Sequence, residues 1–368
     1  MNSAPGELKR LLSLDGGGIR GVFSLEVLSR LEAQLREKTG NPDLLLCDYF
    51  HYIAGSSTGA IIATCLSLGL SVAELQHLYI SRATEMFHLA PIFRRLWHKF
   101  EADSITRLFK SFCTEDEEGK MPVSLGTKKL RTLLMLVMRN HTTGSPWPIS
   151  NNPAAKFNDP ASPECNLNLP LWQLVRASTA APVFFPPETI ELGGRKQVFV
   201  DGGITPYNNP AFLLFLMATL PAYNLCWPSG VDKMLLVSVG TGRTRTGIGD
   251  RRADQMSLFF HAQSVPNALM ESINREQDIV CRTIGYCKAG PPIDSEIGDL
   301  RDVPAAEIPN RKFTYFRYDH YFTPEELEDA GRYGSKGSLR MDNLRLIPFL
   351  QEVGRRYAEE HVHGSDLL

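Results

Sequence analysis

An α/β sheet fold is predicted for this 368-residue chain, and three observations predict it. Short apolar runs stop abruptly at glycine. Helix-patterned stretches follow those stops, and the strand–glycine–helix unit recurs within the opening quarter of the chain. At 43% hydrophobic and 22% charged, the composition is that of a globular core. It suits one large domain or two ordinary ones, and it excludes disorder, coiled coil and a small disulfide scaffold.

The elements follow in order. Arg10–Leu14 is an apolar run closed by Asp15 and three glycines, as a buried strand would be. Val22–Lys38 reads as a helix, with Leu25, Leu28, Leu31 and Leu35 on one face. Tyr49–Ala54 is β-prone and leads into Gly55-Ser56-Ser57-Thr58-Gly59, after which an apolar helix runs to Leu68. Gly69 closes that helix, and Ser71 with Glu74 forms a capping box for another. The segments 101–126 and 141–168 read as long irregular loops around a strand at Leu130–Arg139. Next come a short helix near Leu171–Thr179, a strand at Val198–Val200 ending in Asp201-Gly202-Gly203, and a strand at Met234–Val239 ending in Gly240-Thr241-Gly242. Beyond residue 250 the chain reads as mostly helical.

Charge and cysteine narrow the function classes. Lys and Arg total 39 against 41 Asp and Glu, so no basic excess points to a DNA or RNA polymer. The seven cysteines form no CxxC pair, which leaves zinc and thioredoxin-like readings unsupported; free thiols in a reducing cytosol are expected. The N-terminal apolar run is too short for a signal peptide, and Ala211–Leu220 is about half a membrane span.

Three motifs carry chemistry. Gly55-Ser56-Ser57-Thr58-Gly59 fits G-x-S-x-G with Ser57 central, between a strand and a helix, where a serine hydroxyl projects above the sheet. Ser56 is adjacent but wrongly placed in the pattern. Gly16, Gly18 and Gly21 match G-x-G-x-x-G, the dinucleotide fingerprint, but Asp15 would set a carboxylate against a pyrophosphate, and Glu37 falls in a helix instead of at a strand end. The rival reading is an oxyanion hole, formed by backbone N–H groups at a helix N-terminus with Arg20 adding positive charge. Asp201 before two glycines is a turn former by itself, but beside a serine elbow it becomes a candidate base. His51, His141, His261, His320, His361 and His363 sit in no recognisable catalytic motif, so a Ser–His–Asp triad lacks its histidine.

The set DGGGIRG, GSSTG and DGG, in that order and spacing, resembles the patatin-like phospholipases. Arg176–Pro182 with Phe185-Pro186-Pro187, Asn208-Asn209-Pro210 and the strand into Gly240-Thr241-Gly242 look like the same family. The resemblance spans about residues 10 to 245. It implies a three-layer α/β/α sandwich with a mostly parallel central sheet and a mainly helical C-terminal extension. Residues 10–213 would form the catalytic core, and 214–368 the remaining sheet strand and a helical region packed on it. It implies a Ser57–Asp201 dyad and an oxyanion hole from Gly16, Gly17, Gly18 and Arg20, with Gly21, Gly55, Gly59, Gly202 and Gly203 completing the motifs. It also implies hydrolysis of phospholipid acyl esters at a membrane surface, with neither calcium nor another cofactor. The tail motif Phe316-Arg317-Tyr318-Asp319 looks similar to bacterial anti-phage effectors switched on by cyclic oligonucleotides. From these follow a cytoplasmic protein bound peripherally to the inner face of the membrane when active, a cyclic oligonucleotide activator and a homo-oligomer.

Other readings are a general esterase or thioesterase on soluble acyl compounds, a non-catalytic binding protein on a hydrolase scaffold, and a dinucleotide-binding oxidoreductase. The basic runs Arg94, Arg95, His98, Lys99 and Arg243, Arg245, Arg251, Arg252 are read as solvated surface, with anionic headgroups or a phosphate-bearing activator as the sharper alternative. Phe87, Leu89, Ile92, Phe93, Leu96, Trp97 and Phe100 are read as a helix packed on the core, with a bilayer contact as the alternative.

Overall fold

A computed structural model describes residues 7–86, 100, 102–114, 121–244, 258–334 and 339–364. Arg94, Arg95, His98, Lys99, Arg245, Arg251, Arg252 and the apolar run Phe87–Trp97 lie outside the described residues, as does the side chain of His261. Phe100 is buried, with its ring 5.4 Å from that of Phe185.

Nine strands form one sheet among the described residues: β1 Lys9–Leu14, β2 Tyr52–Ser56, β3 Leu133–Asn140, β4 Ser145–Ser150, β5 Glu188–Leu192, β6 Arg195–Asp201, β7 Met234–Val239, β8 Tyr286–Ala289 and β9 Thr314–Tyr318. Their order is β5-β6-β3-β2-β1-β7-β9-β8, with β4 also on β3. The ladders β3-β2-β1-β7-β9-β8 are parallel, and those among β3, β4, β5 and β6 are antiparallel. Successive residues of a strand feed opposite faces. Leu12 and Ile53 belong to the core under the helices Gly21–Thr39, Thr58–Ser67, Leu171–Ser178 and Ile347–His361. Leu11 and Tyr52 point the other way, onto Ala211–Thr219 and the end of Leu258–Ile284. Two apolar faces need two helical covers, which makes the three-layer α/β/α sandwich.

The C-terminal region differs from expectation. It adds three strands to the sheet where one was anticipated, because the tail motif Phe316-Arg317-Tyr318-Asp319 lies largely on β9. The boundary expected after residue 213 falls inside the helix Ala211–Thr219, and the sheet continues across it. The supposed loops also hold structure: a helix at Ala102–Phe112 and the strand β4. Pro146 and Pro148 disguise β4, since proline removes ladder donors. β4 tolerates them because it borders β3 on one side only.

The parallel strands β1, β2 and β7 end together, delivering the Asp15 loop, Ser57 and Gly240 to one edge of the sheet. Crevices beyond the carboxyl ends of parallel strands are where α/β folds bind ligands. β3 outlasts β2 there: Val137 pairs with Ser56, and the next residue, Met138, pairs with Asp201 at the end of the oppositely running β6. Two segments separated by well over a hundred residues are thereby docked end to end against one strand.

Candidate active site

Ser57 occupies the turn between β2 and the helix Thr58–Ser67, at φ 54° and ψ −124°. A non-glycine residue with positive φ is strained by about 1–3 kcal/mol and persists only where its surroundings fix it. The surroundings here are tight. A Cβ on Gly55 would overlap the Gly59 carbonyl, and one on Gly59 would overlap the Leu14 carbonyl, so neither position admits a side chain. Gly21 meets Thr58 in the same way, which lets the first helix lie close to the elbow.

The Ser57 hydroxyl donates to Asp201 Oδ2 at 2.7 Å. Asp201 Oδ1 accepts the Gly203 amide at 2.6 Å, so the two glycines after the aspartate form a turn that aims its carboxylate. Gly202 lies against the Val137 carbonyl, where a side chain would collide. Burial pushes the Asp201 carboxyl up to about 6; the bonds from Ser57 and Gly203 and the charge of Arg176 pull the other way. The result is a carboxylate more basic than an ordinary aspartate, hydrogen-bonded to a serine hydroxyl. That pair can activate an oxygen nucleophile.

No described histidine replaces Asp201 at Ser57. His51 sits just before β2, at the far end from Ser57, with Nδ1 accepting the Arg10 amide at 3.1 Å. His320 is paired with Glu326 at 2.7 Å, His361 bonds the Tyr357 carbonyl at 3.0 Å, and His141 and His363 are exposed. The Ser56 hydroxyl is buried and has no hydrogen-bond partner, consistent with its wrong place in the motif.

The glycine loop lies against this pair. A Cβ on Gly16 would sit 3.0 Å from that of Ser57. The Gly16 amide donates to the Asn208 carbonyl at 3.1 Å and is therefore committed. Its carbonyl accepts Asn208 Nδ2 at 3.4 Å and Thr241 Oγ1 at 3.3 Å. A planar trans peptide points its N–H opposite to its C=O, so these two side chains fix the direction of the Gly17 amide. Gly18, at φ 61°, opens the short turn Gly18–Arg20. Arg20 turns inward, donating Nη1 to the Gly242 carbonyl at 3.1 Å and Nε to Gly17 at 3.4 Å. It braces the loop. Asp15 also faces inward, paired with the buried Arg317, so the dinucleotide reading finds an ion pair where a pyrophosphate would lie. Asn208 and Thr241 were legible only as motif letters. Their partner, Gly16, lies about two hundred residues away in the chain, so no local pattern reveals the contact.

The sequence profile of the patatin-like phospholipases matches residues 12–215. The chain belongs to that family. Among curated relatives of this patatin-like protein, Patatin-17 of Solanum cardiophyllum is 29% identical over 256 residues, covering 65% of this chain and 62% of its own length. A cGAMP-activated phospholipase of Vibrio cholerae is 30% identical over 218 residues, covering 55% of this chain and 56% of its own length. A cGAMP-activated phospholipase of Escherichia coli is 29% identical over 215 residues, covering 55% and 54%. The chain thus spans between half and two-thirds of the length of these relatives. Among the described residues of the patatin-like chain, no cluster of His, Cys, Asp and Glu could hold a metal ion, and no helix is long and apolar enough to cross a membrane. All seven cysteines are free, and only Cys226 is exposed.

Proposed function

We propose that this protein is a serine acyl hydrolase that cleaves the acyl esters of membrane phospholipids. The 2.7 Å bond from the Ser57 hydroxyl to the buried Asp201 carboxylate, at a strained strand-to-helix elbow, carries the reading. Ser57 Oγ attacks the ester carbonyl carbon while Asp201 takes its proton, directly or through one water. The carbonyl oxygen becomes an oxyanion, received by the Gly17 and Gly18 amides and the positive end of the turn that follows. Collapse of this intermediate expels the alcohol, to which Asp201 returns the proton, leaving an acyl-Ser57 ester. Water activated by the same carboxylate then releases the fatty acid and restores the serine. The chain's own groups supply nucleophile, base and oxyanion donors, so calcium has no step to perform.

Two relatives are named cGAMP-activated phospholipases, which supports activation of this chain by a cyclic oligonucleotide. Action on the membrane from the cytoplasmic side and a homo-oligomeric active form belong to the same proposal. An activator works only by binding the active state better than the resting one. The test incubates the protein with mixed-phospholipid liposomes, with and without a panel of cyclic di- and trinucleotides, and identifies products by mass spectrometry. Free fatty acid and lysophospholipid from wild type but not from Ser57→Ala are expected, with a higher rate in the presence of one nucleotide. Hydrolysis confined to short soluble esters would replace the phospholipase reading with a general esterase. Equal rates with every nucleotide would leave a constitutive lipase.

A further inference from the structure

The stretch Arg176–Pro182 has family character, and apart from the charge of Arg176 near Asp201 it has no role in the chemistry above. It contains Ser178, the last residue of the helix Leu171–Ser178 and fully buried. Ser178 Oγ accepts the backbone N–H of Ser57 at 3.1 Å and donates its own proton to the Val137 carbonyl at 2.6 Å. Two residues on, the Ala180 carbonyl accepts the backbone N–H of Asp201 at 3.0 Å. One short segment therefore grips both members of the dyad by their main chains. Its third hold, Val137, is the β3 residue that pairs with Ser56 and precedes the partner of Asp201.

The grip matters because Ser57 is in a conformation its own side chain disfavours. At φ 54° its amide points away from the helix it introduces, and Ser178 is the partner that satisfies it. Without that acceptor the elbow can relax toward negative φ, which swings Cβ and carries Oγ away from Asp201. Displacement of a reacting atom by about 1 Å is enough to cost about 100-fold in rate.

We propose that Ser178 is a positioning residue that holds the Ser57 backbone in its strained turn and thereby sets the distance from the nucleophile to Asp201. This rests on the Ser57–Asp201 reading. Ser178 touches neither substrate nor reacting atoms; it acts through the Ser57 amide.

The test is Ser178→Ala in the full chain. Turnover of p-nitrophenyl butyrate is normalised to the sites titrated by a fluorophosphonate, across pH, with the melting temperature recorded alongside. The expected result is a fall in kcat of about 10- to 100-fold with KM within about twofold. The acidic limb of kcat/KM should also move to higher pH, since the Ser57 hydroxyl is one of the groups that holds the Asp201 carboxyl down against burial. A lower melting temperature accompanied by wild-type kcat per titrated site and an unmoved limb would mean a purely structural serine and overturn the proposal. If Ser178→Ala melts too low to assay, Ser178→Cys, with a much weaker acceptor in the same place, is read by the same criteria. Full turnover in Ser57→Ala would remove the dyad itself, and this proposal with it, an outcome distinct from an active Ser178 variant beside an inactive Ser57 one.

Discussion

Arg317 grips Asp15 with both arms of its guanidinium, Nη1 to Oδ1 at 2.9 Å and Nη2 to Oδ2 at 2.6 Å, both side chains being buried. Arg317 stands on β9 and reaches across β7, where it also donates to Ser238 Oγ at 2.7 Å, to the residue that opens the glycine loop at the end of β1. Its Nη2 is shared with Asp319, which in turn pairs with Arg243 and accepts the Gly242 amide at 3.0 Å. The C-terminal strand thus anchors the glycine loop that follows β1 and the Gly240–Gly242 loop that follows β7.

Removing the arginine should be severe. Arg317→Met leaves Asp15 as a buried carboxylate without its counter-charge, and breaking such a pair costs about 3–5 kcal/mol. Arg317→Lys should rescue little, because an ammonium cannot reproduce the two-pronged geometry. Adding Asp15→Asn to Arg317→Met should recover part of the loss, since the stranded charge is then gone. Urea unfolding of the three variants measures this.

Ser57→Ala and Asp201→Asn should each lower turnover by orders of magnitude while leaving the fold intact. In the proposed mechanism nucleophile and base work as a unit, so the double variant should be little worse than either single one. Ser56→Ala serves as the control: its hydroxyl is buried without a partner, so its removal should be close to neutral for activity and stability. Rates on liposomes, with circular dichroism on each variant, decide the matter. A histidine substitution as damaging as Asp201→Asn, with folding unchanged, would transfer the base to that histidine.

Activity and stability should move oppositely with pH. Asp201 must be ionised to take a proton, so kcat/KM should fall as pH drops through about 6. The folded-state carboxyl lies above its unfolded value of 3.8, so the unfolded chain loses this proton first as pH rises. The group's contribution to stability therefore declines between about 4 and 6 and amounts above that window to a penalty of about 3 kcal/mol. Asp201→Asn has no charge to bury and should melt at or above the wild-type temperature at pH 8, with the advantage shrinking toward pH 4. Scanning calorimetry of the two proteins across that range tests the sign.

Hydrolysis should survive excess chelator. A serine nucleophile with its own carboxylate base needs no metal-activated water. Assay after exhaustive dialysis against EDTA, with and without added calcium, should give equal rates; loss in chelator restored by calcium would refute this.

The alternation of strand and helix, the serine at its turn and the glycines that flank it are legible in the order of the amino acids alone. These are local matters: an apolar run ending in glycine and a residue pattern of fixed period are written in neighbouring letters. Met234–Val239 and the helix after Gly21 stand where periodicity places them. β4 was hidden by its prolines, and β9 because a strand buried beside β7 in a polar-looking tail shows no clean alternation. Asp201 is legible as an aspartate before two glycines, and its pairing with Ser57 is read only through the family resemblance, since neighbouring letters do not show it. That pairing depends on β3 extending past β2, so that Val137 and Met138 present Ser56 and Asp201 side by side. The same holds for Asn208 and Thr241 on Gly16, for Arg317 on Asp15 and for Ser178 on Ser57. Such contacts join residues about 120 to 300 positions apart in the chain, and strand order and register bring them together only when both faces of the sheet are buried.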